Sequence, residues 1–275
     1  MPIIKKIQRG LEIYNQLYGS INSSEYKRIR QFFHSHDNYD FFNVPIFIIS
    51  YNRLYCLQQQ ISRLKEMGYK NITIIDNNSS YPPLLEFLDT TDCKVIRMKK
   101  NFGHKVFWKS GLYKKYMNDL YVVTDPDVIP VENCPNDFVR VFYSYLKKYP
   151  RFRKVGFSLK INDIPDDSPL KEDVLAWEQK FYSIKVPFQK VFVASIDTTM
   201  ALYMPDNLNI SCDCLSALRT AEPYEARHLP WYKTQDKITE EDRYYADHRT
   251  NGFWDEAKGN LTKEGKDAFF VTHST

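Results

Sequence analysis

The fold of this chain is decided by one stretch, Leu120-Tyr-Val-Val-Thr-Asp-Pro-Asp-Val-Ile-Pro130. Its apolar, β-branched beginning predicts a buried strand. Pro126 removes a backbone donor and restricts φ, so the strand should end or turn there. The two flanking carboxylates, Asp125 and Asp127, are costly at the mouth of a buried strand unless a positive group lies between them.

A hard divalent cation, Mg²⁺ or Mn²⁺, suits this pair of carboxylates. Such ions prefer oxygen ligands and can bridge to the phosphates of a substrate. Asp and Pro are also turn formers, so a plain Asp-Pro-Asp turn is the alternative interpretation. The residues that precede the pair favour the cation.

Four predicted strands alternate with helices between residues 44 and 130. The strands are predicted at 44–50, 71–76, 94–98 and 120–125, and the helices at 54–67, 82–88 and 108–117. Gly68 should stop the first of these helices. The alternation predicts an α/β fold with a mostly parallel central sheet flanked by helices.

Polar residues follow each of these strands, at the sheet edge where ligands bind in such folds. They are Tyr51, Asn52, Arg53, Asp76, Asn77, Asn78, Asn101 and the Asp125/Asp127 pair. The chain has neither G-x-G-x-x-G after the first strand nor G-x-x-x-x-G-K-[ST], which argues against dinucleotide redox chemistry and P-loop hydrolysis. Two acids without a glycine cradle would need a metal to hold a diphosphate.

The composition is that of a globular protein, with 275 residues of which 26% are charged and 43% hydrophobic. A net charge of +4 weakly favours anionic ligands and does not imply nucleic acid. Five cysteines (56, 93, 134, 212 and 214) lack disulfide or zinc spacing, which fits a reducing cytosol. No signal peptide or membrane span is predicted, so we expect a cytoplasmic protein that is soluble or peripheral to a membrane.

Residues 1–40 stand apart as a predicted N-terminal helical extension. Their apolar residues recur at helical spacing, at Ile4, Ile7, Leu11, Tyr14 and Tyr18. A second helix should begin near Ser23. A basic amphipathic helix can contact an anionic membrane or a protein partner, but most amphipathic helices pack on their own domain, which is what we expect here.

The motifs of residues 44–130 resemble those of GT-A glycosyltransferases, particularly the family-2-like group. The resemblance rests on Ile-Ile-Ser-Tyr-Asn-Arg53, Ile-Ile-Asp-Asn-Asn-Ser79, Asn101-x-Gly103 and Asp125-x-Asp127 in this order. It implies a Rossmann-like GT-A fold and a nucleotide-diphosphate-sugar donor linked to UDP or GDP. The Pro inside the acidic motif and the N-terminal extension depart from the core pattern of the group.

The resemblance also implies roles for individual residues. Asp125 and Asp127 would bind Mn²⁺ or Mg²⁺, which bridges the donor diphosphate. Donor contacts are expected from Ser50, Tyr51, Asn52, Arg53, Asp76, Asn77, Asn101, Lys105 and Asp125. The chemistry agrees, because a cation and basic side chains stabilise the charge that grows on a diphosphate leaving group.

Beyond residue 130 the resemblance fades, and the residues of the acceptor-binding half are predicted one at a time. Asp197 lies in the middle of the apolar segment 191–203 and is the predicted base that deprotonates an acceptor hydroxyl, with Glu222 as the alternative. The resemblance implies a third metal ligand, often a His from a C-terminal loop, and His228 in the segment 219–232 is the best candidate for it, ahead of His248. The tryptophans at positions 177, 231 and 254 are candidate sugar platforms, although core packing is the safer interpretation for most of them.

We therefore expect residues 41–275 to form one glycosyltransferase domain, with a nucleotide-binding half (41–130) and an acceptor-binding half (131–275). The expected reaction is metal-dependent and inverting transfer of a sugar to a glycan or other hydroxyl acceptor, in glycan or polysaccharide synthesis. One alternative is a nucleotidyltransferase, although residues 50–53 lack the Gly-rich basic loop typical of that class. The other alternative is an inactive module that binds sugar or a partner.

Overall fold

The computed structural model describes residues 2–21, 23–36, 38–205, 217–250, 252–255 and 257–273. Cys212 and Cys214 lie outside these ranges. The described chain is organised around a large central sheet flanked by helices. The predicted α/β fold class is confirmed.

Two helices open the chain, α1 (Pro2–Tyr18) and α2 (Ser23–Ser35). Helix α2 packs on the main core, because Ile29 and Phe33 are buried and the Tyr143 hydroxyl donates to the Phe33 carbonyl at 3.0 Å. Helix α1 keeps several apolar side chains exposed, among them Ile7 and Leu11. The division of the chain at residue 40 stays a prediction.

The first half of the sheet is parallel and follows the order β3-β2-β1-β4. Its strands are β1 (Ile46–Ser50), β2 (Ile72–Asp76), β3 (Lys94–Arg97) and β4 (Tyr121–Thr124). Every residue of β1, β2 and β4 is buried, as expected for parallel strands covered on both faces. Strand β4 ends directly before the Asp-Pro-Asp motif, where Pro126 was predicted to end it.

Three helices connect these strands, namely α3 (Leu54–Glu66), α4 (Pro82–Thr90) and α5 (Val106–Lys109). Helix α3 ends just before Gly68, which adopts φ +93° as a C-terminal glycine should. The predicted helix at 108–117 is wrong in extent. Gly111 adopts φ +79° and separates α5 from a 3₁₀ helix, Leu112–Lys115.

The second half of the sheet relies on antiparallel pairs of residues distant in sequence. Its strands are β5 (Val128–Pro130), β6 (Lys154–Leu159), β7 (Val191–Ala194), β8 (Ala201–Tyr203) and β9 (Ala217–His228). The order continues from β4 as β8-β6-β9-β5, and β7 also pairs with β9. Only β6 and β9 are parallel among these pairs.

Two segments of this half differ from the sequence prediction. The apolar segment 191–203 is two strands, β7 and β8, and Asp197 lies in the connection between them. The segment 219–232, expected to be a loop that carries His228, is mostly the long strand β9 followed by a 3₁₀ helix. Both candidate residues still lie at strand ends, because Asp197 closely follows β7 and His228 is the last residue of β9.

The remaining helices cover the sheet and close its ligand-binding edge. They are α6 (Phe138–Lys148), α7 (Lys171–Glu178), α8 (Glu240–His248) and α9 (Lys263–His273), with a hairpin of β10 (Trp254–Asp255) and β11 (Asn260–Leu261). Helix α8 starts with a reciprocal capping box between Thr239 and Asp242. Among the described residues, no helix has the length and apolar character needed to cross a bilayer.

Candidate active site at the carboxyl ends of the strands

The polar loops that follow the parallel strands begin side by side at one edge of the sheet. Ser50 pairs with Asp76, and Ile48 pairs with Thr124, so the ends of β1, β2 and β4 lie side by side. The Asp-Pro-Asp motif therefore emerges next to the loops that start at Tyr51 and Asn77. This arrangement follows from the register of three parallel strands.

Asn52 fixes the loop after β1 through its backbone and its side chain. It adopts φ +52°, in the left-handed region that Asn tolerates better than most residues. Its Oδ1 accepts from the backbone N–H groups of Ser80 at 2.7 Å and Tyr81 at 3.0 Å. The amide thus ties the loop after β1 to the loop after β2, beneath the cleft.

Asp76 and Asn77 order the loop after β2. The Asp76 carboxylate accepts the backbone N–H of Ser79 at 3.0 Å. The Asn77 amide donates to Asn101 Oδ1 at 2.8 Å and accepts the Phe102 N–H at 2.9 Å. Three successive loops are thereby joined by amide hydrogen bonds.

Arg53 places a cation under the acidic motif. Its side chain is buried, its guanidinium carbon lies 3.8 Å from the centroid of the Tyr245 ring, and its Nε lies 3.9 Å from Asp127 Oδ2. Stacking on an aromatic ring suits the planar guanidinium and restricts its position. A buried arginine at this place can bind an anion together with the acidic motif.

Asp125 is held by Thr198, a residue from the connection between β7 and β8. The Asp125 N–H donates to the Thr198 carbonyl at 2.8 Å, and the Thr198 hydroxyl donates to the Asp125 carboxylate. Burial and then the charge of Asp127 raise the pKa of Asp125 well above its usual range, against the opposing effect of the Thr198 hydroxyl. A positive ligand would relieve the repulsion between the two carboxylates.

Strand pairing brings His228 to Asp127. Val128 of β5 pairs with His228 of β9, and the Leu229 N–H donates to the Asp127 carbonyl at 2.9 Å. His228 Nε2 lies 3.5 Å from Asp127 Oδ2. Asp127 Oδ1 and His228 Nδ1 are buried, and neither has a hydrogen-bond partner within the described ranges. Buried polar groups normally have a partner, so Asp127 Oδ1 is available to a ligand, whereas Oδ2 is the oxygen that lies near His228.

The donor set fits a cation that is shared with a substrate. In the part of the chain that the structure describes, no three His, Cys, Asp or Glu side chains form a ready-made metal cage. Mg²⁺ and Mn²⁺ at nucleotide sites often take only one or two carboxylates and complete their shell with phosphate and water oxygens. The carboxylate pair and the unpartnered oxygen of Asp127 match that pattern better than a preformed structural metal centre.

Asp197 stands at the rim beside the acidic motif. Its side chain is 64% exposed, and its Oδ1 lies 3.8 Å from His104 Nε2. The antiparallel pairing of β4 with β8 places residues just before β8 next to residues just after β4. An exposed carboxylate at this position can accept a proton from a substrate group in the cleft.

These residues line an open cleft at the carboxyl ends of the strands. The C-terminal segment forms its outer wall through Arg249, Phe253, Trp254 and Glu264. Trp254 is the candidate sugar platform that faces the cleft. Trp231 instead packs on the imidazole of His228 at 4.6 Å between ring centroids, and Trp177 packs on Phe253.

The structure brings most of the predicted site residues to this cleft. Those that line it are Tyr51, Arg53, Asn77, Asn101, Asp125, Asp127, Asp197 and His228. Ser50, Asn52 and Asp76 are buried beneath it. Lys105 lines an adjoining cavity instead, and Glu222 is exposed without lining either one.

Several residues that build the site escaped sequence reasoning. Thr198, Tyr245 and Arg249 were not among the predicted site residues. Gln60 on α3 donates to the carbonyls of Asp125 at 2.8 Å and Val128 at 2.6 Å, and so supports the acidic motif from below. A buried polar residue on the apolar face of a predicted helix was the signal for Gln60; no local pattern marks the others.

Comparisons with known proteins find similarity at the level of structure alone. No protein-family model matches, and no curated protein sequence matches. Glucosyl-3-phosphoglycerate synthase from Mycobacterium tuberculosis, solved with Mn²⁺ and UDP-glucose, matches with a TM-score of 0.38 and 10% identity over 65% of this chain and 60% of its own. S. aureus TarS 1–349 matches with a TM-score of 0.41 and 10% identity over 79% and 68%.

A cytidylyltransferase from Leptospira borgpetersenii also matches, with a TM-score of 0.34 and 11% identity over 61% of this chain and 62% of its own. The chain thus spans about two thirds of the length of these proteins or less. The residues of the cleft, rather than these matches, carry the proposal that follows.

Proposed function

We propose that this chain is a metal-dependent glycosyltransferase that uses a nucleoside diphosphate sugar as donor. One observation carries the proposal: the buried Asp127 carboxylate, next to Asp125 in the acidic motif, has Oδ2 near Arg53 and His228 and Oδ1 without a hydrogen-bond partner in the described residues. Two carboxylates with an arginine behind them suit a cation and a diphosphate together.

The donor side of the cleft would be filled by the nucleotide. Tyr51, Asn77 and Asn101 present polar groups from three hydrogen-bonded loops, so they can contact the base and ribose without reorganisation. Asp125 and Asp127 would hold the divalent cation, with His228 beside Asp127. The cation, when bound, would neutralise the charge that develops on the diphosphate leaving group.

Asp197 is the proposed base. In the reaction, an acceptor hydroxyl oxygen would form a bond to the anomeric carbon while the bond from that carbon to the diphosphate oxygen breaks. The bonding electron pair leaves with the diphosphate, and the hydroxyl proton goes to the Asp197 carboxylate. A single displacement of this kind inverts the anomeric configuration.

Metal-dependent nucleotide binding is the first test. We expect isothermal titration calorimetry to detect UDP or GDP binding in the presence of Mn²⁺ and its loss on chelation. Asp127→Asn should weaken this binding at least about 100-fold, because a carboxylate ligand is replaced by a poorly coordinating amide. Asp167→Asn, which changes an exposed acid outside the cleft, is the matched control.

Turnover is the second test and separates the proposal from its rivals. Incubation with a panel of UDP- and GDP-sugars and Mn²⁺ should release nucleoside diphosphate. Release of pyrophosphate from a nucleoside triphosphate with a sugar phosphate would instead identify a nucleotidyltransferase. Nucleotide binding without any turnover would favour a binding module, and equal affinities of wild type and Asp127→Asn would reject the metal assignment.

A further inference from the structure

A second, open cavity adjoins the cleft. Asp197 and Thr198 line both spaces, so these two residues form the wall between them. The Thr198 hydroxyl binds Asp125 on the cleft side. Whatever occupies the second cavity therefore lies across Asp197 from the proposed donor diphosphate.

The surface of the second cavity is mainly apolar, and its charged lining residues are three lysines and Asp197. Lys105 and Lys109 are one helical turn apart, because the Lys109 N–H donates to the Lys105 carbonyl at 2.9 Å, and both side chains are exposed. Lys154 of β6 lines the cavity as well. Asp197 is the acidic residue of the lining, and within the described ranges neither Lys105 nor Lys109 forms an ion pair with it or with another acid.

Such an arrangement favours an anionic occupant. Like charges at positions i and i+4 repel each other, and an anion placed between them removes the repulsion. Charge-assisted hydrogen bonds from ammonium groups to phosphate or carboxylate are stronger than hydrogen bonds between neutral groups. The lysines are therefore positioned to bind the charged part of a ligand.

One side of the second cavity is lined by aromatic side chains that pack against each other. Trp108 lies 5.3 Å from Tyr203 between ring centroids, and Tyr203 stacks on Tyr121 at 5.3 Å. The Lys154 ammonium lies 5.2 Å from the Tyr203 ring centroid and donates to the Ile196 carbonyl. These contacts fix Lys154 and offer an apolar surface for the carbon skeleton of a ligand.

We propose that the second cavity binds the acceptor and that the acceptor carries an anionic group, a phosphate or a carboxylate, beside its reactive hydroxyl. Lys105 and Lys109 bind the anionic group, Trp108 and Tyr203 contact the skeleton, and the hydroxyl faces Asp197. This inference rests on the proposed glycosyltransferase function, because it assigns the donor to the main cleft. It moves Lys105 from the donor side, where the sequence placed it, to the acceptor side.

The experiment compares ligands that differ in charge. Glucose 6-phosphate, glucuronate and glucose are titrated by ligand-observed NMR into protein saturated with Mg²⁺ and with UDP or GDP, whichever binds, so that the main cleft is occupied. We expect both anions to bind at least about tenfold more tightly than glucose, with an affinity that falls as salt rises. The two anions also distinguish a phosphate site from a carboxylate site.

Two double variants remove the same charge from different places. Lys105→Ala with Lys109→Ala should reduce anion affinity at least about tenfold, whereas Lys114→Ala with Lys115→Ala removes two exposed lysines of the neighbouring 3₁₀ helix and should retain it. Thermal melts establish that both variants are folded. If either variant behaves like the other, or if glucose binds as tightly as the anions, the inference is overturned.

The same samples report on the proposed function separately. Absence of both UDP and GDP binding in the presence of Mn²⁺ or Mg²⁺ would mean that the glycosyltransferase proposal has failed. Normal UDP or GDP binding without a preference for anions would mean that only the acceptor inference has failed.

Discussion

The two edges of the cleft differ in what their polar side chains contact. On the amide edge, formed by the loops after β1 and β2, Asn52 Oδ1 and the Asn77 amide form hydrogen bonds to neighbouring loops, while Asn52 Nδ2 is buried without a partner in the described residues. On the acid edge, Asp127 and His228 each keep a buried polar atom without a partner in the described ranges, and two carboxylates repel each other.

The difference indicates that the amide edge maintains loop structure and that the acid edge binds a ligand. Hydrogen bonds between loops, such as those of Asn52 and Asn77, rigidify the loops and fix their shape. Unsatisfied buried groups cost stability and are typical of places where a ligand completes the structure. Changes on the acid edge should therefore affect function at little cost in stability, and changes on the amide edge should do the reverse.

Asp197→Asn provides the largest expected effect. Loss of the proposed base should lower turnover about 100-fold or more, while UDP affinity in Mn²⁺ changes little. Initial rates of UDP release, compared with calorimetric affinities, measure the two quantities separately. Asp167→Asn serves as the control, and turnover close to wild type would remove Asp197 as the base.

Asn52→Ala tests the amide edge. Two backbone N–H groups lose their acceptor and Ala must adopt φ +52°, so the free energy of unfolding should fall by about 3 kcal/mol. Asn52→Gly relieves the backbone cost alone and should recover about 1 kcal/mol of it. Urea unfolding with an unchanged m-value reports both numbers. A loss below that of ordinary surface substitutions would show that the loops are held elsewhere.

Gln60→Leu tests the support beneath the acid edge. The carbonyls of Asp125 and Val128 lose a buried donor, and we expect a loss of about 2 kcal/mol in the free energy of unfolding. Gln58→Leu, at an exposed position of the same helix, should change it by less than about 0.5 kcal/mol. Equal effects of the two substitutions would contradict a specific role for Gln60.

Asp125→Asn should stabilise the metal-free protein by about 1 kcal/mol at neutral pH while it weakens nucleotide binding, since a buried charge and its repulsion are removed. The pKa of Asp125 is raised in the folded state, so the native protein binds a proton to higher pH than the unfolded chain does. This residue therefore makes the wild type lose stability as pH rises from the ordinary carboxyl range through the raised pKa.

Thermal melts across that pH range, in chelator, measure this contribution. The contribution should be absent in Asp125→Asn, so the gain from the substitution should shrink as the pH falls. A gain that is constant with pH would contradict the direction assigned to the Asp125 pKa.

The sequence predicted the parallel half of the fold well, for a physical reason. Strands β1, β2 and β4 are continuous apolar runs whose neighbours follow within a helix length, so local patterns carry the information. The polar residues after them meet at the cleft because parallel register aligns strand ends. Gly68 correctly predicted the end of α3. The helix predicted at 108–117 from apolar spacing is interrupted at Gly111, which the prediction did not consider.

The second half was predicted less well because its pairings are non-local. The partner of β4 is β8, and the partner of β5 is β9, about 100 residues along the chain. No local pattern encodes these registers, so the splitting of segment 191–203 and the strand at 217–228 were missed. His228 was chosen from its chemistry, and the β5–β9 register is what puts it beside Asp127; its role as a ligand stays a prediction, as does the role of Asp197.

The loop after β1 depends on residues at the far end of the chain. Glu241 of α8 accepts the N–H groups of Leu54 at 2.9 Å and Tyr55 at 3.0 Å, and the Tyr51 hydroxyl donates to the His248 carbonyl at 2.8 Å. During synthesis, residues 51–55 therefore cannot form these hydrogen bonds until nearly two hundred further residues have been added. The parallel half can collapse early on the ribosome, but its nucleotide loop acquires its final shape only when α8 has emerged and docked.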